Sequence, residues 1–282
     1  MGKRLTIGHT AITWADDKVE DAVKCISSLG FKAFETFGWV LVTLEEQNRL
    51  DIFEKHGIPL VSSYMAADIV NPDVRDAEME KLVKWGKILA AKGGKMSTFG
   101  GGNVDRRTYN INDHKDYLIK FVNEAAQRLL DVGIYLNFHP HTGTPIETAE
   151  EIDFLFENAD TKLVGFAPDV GQIQKGGADP IEYVKKYLSL TRLVHLKDYC
   201  GSVEFNEDGQ EIDTSGFACY SPLGQGVVKI AEMLEIYENS SFDGYIMVEL
   251  DIANKIGKQM PMTPEEATTI SRDYLASLGY KF

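Results

Sequence analysis

Short apolar and β-branched runs alternate with longer amphipathic stretches along the whole chain. Apolar residues at every second position predict strands, and apolar residues spaced three and four apart predict helices. The alternation repeats eight times without an intervening linker. The predicted strands are Leu5 to His9, Phe31 to Glu35, Ile58 to Tyr64, Gly94 to Phe99, Ile134 to His139, Leu163 to Asp169, Leu193 to Lys197 and Tyr245 to Glu249.

The predicted helices lie between these strands. Helix-start signals occur at Asn71-Pro72-Asp73, Thr148 and Asp179-Pro180, and a glycine stands before the next strand at positions 30, 57, 93 and 133. The predicted helices span residues 18–29, 43–56, 73–92, 113–132, 147–157, 180–189, 226–239 and 264–278.

Eight β/α units in 282 residues fit a (β/α)₈ TIM barrel, and we expect one barrel domain spanning residues 1–282. A doubly wound sheet normally carries a GxGxxG loop after its first strand. Residues 9–14 read His-Thr-Ala-Ile-Thr-Trp instead, and Gly100-Gly101-Gly102 is interpreted as a loop after the fourth strand.

The net charge of the chain reduces the number of functions that need to be considered. The chain has 29 Lys and Arg against 43 Asp and Glu, a formal net charge of −14, which disfavours binding to nucleic acid or to anionic membranes. No stretch approaches 18 apolar residues and the start lacks a signal-peptide pattern, so we expect a cytoplasmic protein. Cys25, Cys200 and Cys219 have no CxxC spacing, and we expect reduced thiols.

In a TIM barrel, reactive groups lie at the carboxyl ends of the strands. Strand alternation predicts which of them face the axis: in the fifth strand the apolar residues at 134, 136 and 138 pack outward, so His139 faces inward. The same argument turns Glu35, His195 and Glu249 inward. The ionisable and aromatic residues at or just after strand ends are Glu35, Tyr64, His139, His141, Asp169, His195 and Glu249.

Four of these residues form a candidate metal site: His139, Asp169, His195 and Glu249 come from four consecutive strands. Two imidazoles with two carboxylates suit Mn²⁺, Zn²⁺, Co²⁺ or Fe²⁺ better than Ca²⁺, with Mg²⁺ also possible. Taken singly, an inward His is usually a hydrogen-bonded barrel residue, and the cluster is what favours a metal.

At these residues the chain resembles the xylose isomerase-like barrel superfamily of sugar isomerases, epimerases and inosose dehydratase, and the resemblance spans essentially the whole chain. It rests on five segments: IGHTAITW, NFHPHTGTPIETAEEID, DVGQIQKGGADP, VHLKD and VELD. The resemblance implies a metal held by Glu, Asp, His and Glu at the ends of the fifth to eighth strands. Asp169, His195 and Glu249 match this pattern.

The chain departs from the superfamily pattern at two positions. His139 replaces the fifth-strand Glu, which removes one carboxylate of the acid/base pair of the ketose epimerases. The HxHxGT run that begins at His139 is more similar to inosose dehydratase. Gln172 stands where many relatives have His in an Asp-x-Gly-His motif.

These residues suggest roles in enolate chemistry. We expect Glu249 to act as the base, with His141 or Glu35 as its partner. Lys197 either holds a substrate oxygen or forms a salt bridge with Asp198 or another neighbour. The remaining substrate contacts are expected from Trp14, Tyr64 and Gln172, and Trp14 with Phe37 and Trp39 can form an apolar wall.

The leading hypothesis is a metal-dependent enzyme that removes a proton next to the carbonyl of a sugar or polyol ketone, and His139 favours an inosose dehydratase-like lyase. The alternatives are a ketose 3-epimerase or aldose-ketose isomerase, β-elimination of an oxidised glycoside, and a non-catalytic sugar-binding barrel. A DNA-repair endonuclease on the same barrel is disfavoured by the charge. A free sugar is favoured over a phosphorylated one because the chain shows no convincing Arg cluster. The resemblance implies a homo-oligomer.

A long segment from Asp198 to Leu223 follows the seventh predicted strand. We expect it to form a hairpin or lid over the mouth of the barrel, with its tip near residues 204–209.

Overall fold

Eight parallel strands form the central sheet of the computed structural model, which describes residues 3–202, 204–206, 211–212, 217–251 and 261–282. Within the described residues, each strand is followed by one or more helices on the outside of the sheet. The strands are β1 (Thr6–Thr10), β2 (Phe34–Phe37), β3 (Leu60–Ala67), β4 (Met96–Gly101), β5 (Tyr135–Phe138), β6 (Val164–Phe166), β7 (Leu193–Leu196) and β8 (Tyr245–Val248).

The strands pair in chain order from β1 to β6, and β8 lies between β1 and β7. The remaining seam, between β6 and β7, is closed by two parallel bridges: Phe166 pairs with Thr191, and Asp169 pairs with His195. The predicted (β/α)₈ TIM barrel is therefore confirmed.

The helices agree with the predictions in most places. None of those in the described part of the chain is long and apolar enough to cross a membrane. They are α1 (Val19–Ser28), α2 (Gly38–Glu46), α3 (Ile52–Lys55), α4 (Arg75–Ala91), α5 (Lys115–Asp131), α6 (Ala149–Asn158), α7 (Val170–Lys175), α8 (Pro180–Lys186), α9 (Ile230–Glu238) and α10 (Pro264–Ser277).

Two helix predictions were wrong. The expected helix over residues 43–56 is divided into α2 and α3, because Asn48 adopts a left-handed conformation with φ of 55° and ends α2. Helix α7 was not predicted, since six residues are too few to show a helical period. Its start is instead defined by Asp169, whose carboxylate accepts hydrogen bonds from the backbone N–H groups of Gly171 and Gln172.

Four strands begin or end two or more residues away from their predicted bounds, and one of them, β3, spans Leu60–Ala67 rather than Ile58–Tyr64. Strand β2 begins at Phe34 rather than Phe31 and runs to Phe37, β6 ends at Phe166, and β4 includes two of the glycines expected in a loop. Gly100 lies close to the Tyr64 hydroxyl, and a Cβ at this position would overlap that oxygen. The absence of a side chain at this glycine therefore leaves room for the tyrosine ring inside the barrel.

The core forms two layers separated by the sheet. Outward residues such as Leu136, Val194 and Ile246 belong to the large cluster between sheet and helices. A small second cluster, which includes Leu193 and Met247, fills the barrel interior. This alternation is the one predicted for the seventh and eighth strands, and it is what turns His195 and Glu249 toward the axis.

The segment after β7 contains antiparallel pairs. Asp198–Tyr199 pairs with Tyr220–Ser221, and Glu204–Phe205 pairs with Glu211–Ile212. These two pairs are the described part of the expected hairpin, and residues 207–209 of its predicted tip lie outside the described residues.

A buried histidine at the end of β1 predicts acid sensitivity. His9 is packed against Trp14 and Phe31, and burial lowers the pKa of His9 from 6.5 to about 4. As pH falls from 7 to 5, the unfolded chain takes up a proton at this residue and the folded chain does not. Because of His9, the free energy of unfolding should therefore be about 2 kcal/mol lower at pH 5 than at pH 7.

Urea unfolding at pH 7 and pH 5 tests this expectation. His9→Gln should lose about 2 kcal/mol of pH dependence relative to the wild type. Identical pH dependence in the two proteins would contradict the assignment.

Candidate active site

The four candidate ligands lie at one mouth of the barrel, just beyond the strand ends. His139 follows β5 directly and its N–H donates to the carbonyl of Phe99 at 2.8 Å, so the strand pairing continues to that residue. Glu249 follows β8 in the same way, and Asp169 faces His195 across the closing seam. All four residues are at most 5% exposed.

His195 lies between two carboxylates. Its Nε2 is 2.8 Å from Glu35 Oε1, and the Thr98 hydroxyl donates to Glu35 Oε2 at 2.7 Å. On the other side of the ring, Nδ1 lies 2.5 Å from Glu249 Oε2 but without hydrogen-bond alignment. Since Nε2 needs a proton to bond Glu35, the neutral ring would present a lone pair at Nδ1 beside the Glu249 oxygen.

The buried donor set fits a divalent cation. His139, Asp169 and His195 each offer a ligand atom within 4.8 Å of the others, and Glu35, His195 and Glu249 form a second group that shares His195. His139 Nδ1 and His195 Nδ1 have no aligned hydrogen-bond partner among the described residues, and Asp169 Oδ2 has an ion pair with Lys197 but no aligned hydrogen bond. Buried polar atoms are normally hydrogen-bonded, and unpartnered nitrogen and oxygen atoms that converge are typical of a metal site.

Lys197 offsets part of the negative charge of the carboxylates beneath the site. Its fully buried Nζ lies 3.0 Å from Asp169 Oδ2, 2.7 Å from Glu249 Oε1 and 2.8 Å from Asp251 Oδ2. Burial alone would lower the pKa of Lys197, but these three carboxylates outweigh it and hold the pKa well above its usual range. The geometry corresponds to the salt-bridge alternative, with partners other than Asp198.

The imidazoles and carboxylates of the cluster respond differently to burial. Burial opposes charge on His195, yet Glu249 and Glu35 raise its pKa well above the ordinary value. Burial, together with the charge of His195, lowers the pKa of His139 well below it. Glu249 is also buried, but His195 and Lys197 hold its pKa well below normal. For Asp169 burial prevails over Lys197, and its pKa is raised.

His141 is fixed as a neutral ring. Its Nδ1 is 2.7 Å from the Thr142 carbonyl oxygen, which can only accept, so the proton lies on Nδ1. Its Nε2 therefore accepts from Gln172 Nε2 at 2.8 Å, while Gln172 Oε1 accepts from the Thr142 hydroxyl at 2.6 Å. Burial lowers the pKa of His141, in keeping with this neutral state.

An open cavity of about 1270 Å³ covers the cluster. The Tyr64 ring lies nearly perpendicular to the His139 ring at a centroid distance of 5.8 Å, and Trp14 is buried at the wall with only 5% of its surface exposed. Predicted site residues among those that line the cavity are Trp14, Glu35, Tyr64, His139, His141, Gln172, His195 and Glu249.

Asp169 and Lys197 are fully buried and do not belong to the described lining of the cavity. Two residues that contact the site residues were not predicted from the sequence. Thr98 is a polar residue inside a strand, where only knowledge of the facing strand could reveal its role. Asp251 follows Glu249 by two residues and so shares its direction, and this spacing could have identified it.

Comparisons with known proteins agree with this architecture. A family model described as a xylose isomerase-like TIM barrel matches residues 23–278. Inosose dehydratase 2 from Bacillus cereus is 32% identical over 88% of this chain and 90% of its own.

Two solved structures share the fold at low identity. A probable 3-DHS dehydratase from Bacillus anthracis has a TM-score of 0.75 at 13% identity, with coverage of 96% of this chain and 99% of the other. A 3-keto-D-glucoside 4-epimerase from E. coli has a TM-score of 0.74 at 16% identity, with coverage of 98% and 99%.

The charge balance at Lys197 yields a stability prediction. Lys197→Met removes the cation from three carboxylates and should lower the free energy of unfolding by about 3–5 kcal/mol. Lys186→Met, which breaks an exposed pair with Asp153, is the matched control and should cost less than about 1 kcal/mol. Denaturant unfolding at pH 7 measures both, and equal small losses would show that Lys197 does not balance the cluster.

Proposed function

The chain belongs to the xylose isomerase-like TIM barrel family, and from that premise we propose a divalent-metal-dependent enzyme that removes a proton next to the carbonyl of a polyhydroxy ketone. One observation carries the proposal. His195 Nδ1 and Glu249 Oε2 approach to 2.5 Å without hydrogen-bond alignment at the base of an open cavity.

His139, Asp169, His195 and Glu249 would hold the metal. When bound there, a divalent ion polarises the substrate carbonyl and stabilises the negative charge that develops as the proton leaves. Two imidazoles and two carboxylates favour Mn²⁺, Zn²⁺, Co²⁺ or Fe²⁺. The buried carboxylates around Lys197 keep the site anionic, which favours binding of a cation.

Glu249 is assigned as the base, since it lines the cavity and its carboxylate remains ionised. Its Oε1 pairs with Lys197 and its Oε2 lies beside His195, so proton transfer to Glu249 requires one of these two contacts to open. Glu35 is assigned as a positioning residue. One of its oxygens bonds His195 and the other bonds Thr98, so its carboxylate is engaged behind the imidazole. This arrangement supports elimination over epimerisation, because an epimerase needs a second base facing Glu249 across the substrate.

The remaining lining residues bind and orient. Gln172 occupies the lone pair of His141 Nε2, which favours a positioning role for His141 over proton transfer. Tyr64 is suited to donate a hydrogen bond to a substrate oxygen, because burial raises the pKa of Tyr64 and keeps its phenol protonated. Trp14 closes one side of the cavity.

The relatives favour a dehydratase among the possible eliminations. Several similar proteins carry the name inosose dehydratase, and an inosose is a cyclic polyol ketone of the kind proposed here. In such a reaction Glu249 takes the proton from the carbon next to the carbonyl. The electron pair left behind forms the C=C bond as the C–O bond on the following carbon breaks, and the proton held by Glu249 is returned to the departing hydroxide, which leaves as water. Elimination from an oxidised glycoside would use the same first step.

Metal analysis with solvent exchange tests the proposal. The wild type should contain about one divalent ion per chain, and both His195→Ala and Glu249→Gln should lose most of it. With an inosose in D₂O, the metal-loaded wild type should incorporate deuterium next to the carbonyl. Glu20→Gln, a surface carboxylate paired with Arg49, is the control and should behave as wild type.

The product separates the alternatives. Loss of water identifies a dehydratase, whereas an epimer or an aldose would identify the isomerase alternatives. Metal binding with neither exchange nor product would indicate a binding barrel, and absence of metal under all conditions would contradict the proposal.

Glu35 should influence metal affinity through His195. Glu35→Gln keeps the size of the side chain but removes the charge that makes the imidazole a better ligand, and the dissociation constant should rise about 10-fold to 100-fold. Competition with a chromophoric chelator measures it, with Glu20→Gln again as the control. An unchanged constant would contradict the positioning role.

A further inference from the structure

The cavity is larger than the proposed reacting ring requires. Its volume of about 1270 Å³ exceeds the roughly 300–1,000 Å³ of pockets that bury drug-sized ligands. A single six-membered polyol ring is smaller than such a ligand. A ring bound at the His195 cluster therefore leaves much of the space between the described residues unoccupied.

An aromatic platform lies next to the space left over. The rings of Phe37 and Trp39 are stacked with centroids 4.3 Å apart and an angle of 10° between their planes. Both line the cavity, and Trp39 is 36% exposed although it is a large apolar side chain. Exposed aromatic surface inside a pocket is suited to contact the apolar face of a ring.

Tyr64 connects the platform to the cluster. Its ring makes perpendicular contacts with the rings of His139, Phe37 and Trp39, at centroid distances of 5.8, 5.9 and 6.4 Å. The platform is thus one aromatic ring removed from the candidate metal ligand. This spacing suits two neighbouring rings of one substrate.

Polar groups near the platform indicate the charge of the second ring. The indole N–H of Trp39 donates to Asp16 Oδ2 at 2.8 Å, and both Asp16 and Asp17 line the cavity. Lys175 is the one lysine in the described lining, and its ammonium lies over the Tyr220 ring. Carboxylates accept hydrogen bonds from sugar hydroxyls and repel anions, so they favour a neutral, hydroxylated or aromatic ring.

We propose that Phe37, Trp39 and Asp16 form a second subsite that holds a neutral second ring, so that the substrate is a keto-glycoside or keto-disaccharide. The inference rests on the proposed function, since it places the carbonyl-bearing ring at the His195 cluster. It extends that function from a one-ring ketone to a two-ring substrate.

Calorimetric titration of the metal-loaded protein with two matched probes tests the subsite. Phenyl β-D-glucopyranoside should bind about tenfold more tightly than methyl β-D-glucopyranoside, because only the phenyl ring reaches the platform. Trp39→Ala should abolish this preference and leave the affinity for the methyl glucoside within about twofold. Trp39→Phe should retain most of the preference, and Leu130→Ala, which removes an exposed apolar side chain of α5, should retain all of it.

A charged probe tests the role of Asp16. 4-Carboxyphenyl β-D-glucopyranoside should bind the wild type more weakly than the phenyl compound, and Asp16→Asn should narrow the difference. Equal affinity of the wild type for the phenyl and methyl glucosides, no measurable binding of the phenyl glucoside, or an equal loss of both in Trp39→Ala would overturn the subsite.

Different results would contradict the proposed function and the second subsite. Deuterium exchange into an inosose without a preference for the phenyl glucoside would overturn the second subsite alone. A preference for the phenyl glucoside without metal binding or exchange would overturn the proposed function and leave a barrel that binds glycosides.

Discussion

The placement of His195 between Glu35 and Glu249 is the constraint on which the rest of the site depends. A neutral imidazole has one proton for two nitrogens. The hydrogen bond to Glu35, which also accepts from the Thr98 hydroxyl, places that proton on Nε2. The opposite nitrogen then faces a carboxylate oxygen at 2.5 Å without an aligned bond. Positive charge resolves this contact, either as a cation or as a second proton on Nδ1, and the raised pKa of His195 reflects how strongly the two carboxylates favour it.

The closure of the barrel brings these groups together. Strand β6 ends after three residues, and the seam with β7 depends on two bridges, one of which joins Asp169 and His195. The same aspartate caps α7 through Oδ1. Lys197, two residues beyond His195, offsets the buried negative charge. Site and fold therefore share residues, which ties the chemistry to the stability of the seam.

Much of this arrangement could be predicted from the sequence, because it follows from strand period. Alternation along single strands is a local property, and it identified His139, His195 and Glu249 as inward residues. The pairings of Glu35 with His195 and of Gln172 with His141 join residues far apart in the chain, and no local pattern contains them. Asn48 and α7 escaped prediction because single backbone conformations and very short helices leave little periodic signal.

Anomalous diffraction from crystals grown with Mn²⁺ or Zn²⁺ tests the central claim most directly. We expect one strong peak about 2.0–2.3 Å from both His195 Nδ1 and Glu249 Oε2, with Glu35 still bonded to Nε2. A structure without such a peak, in which His195 Nδ1 carries a proton and bonds Glu249 in line, would contradict the account.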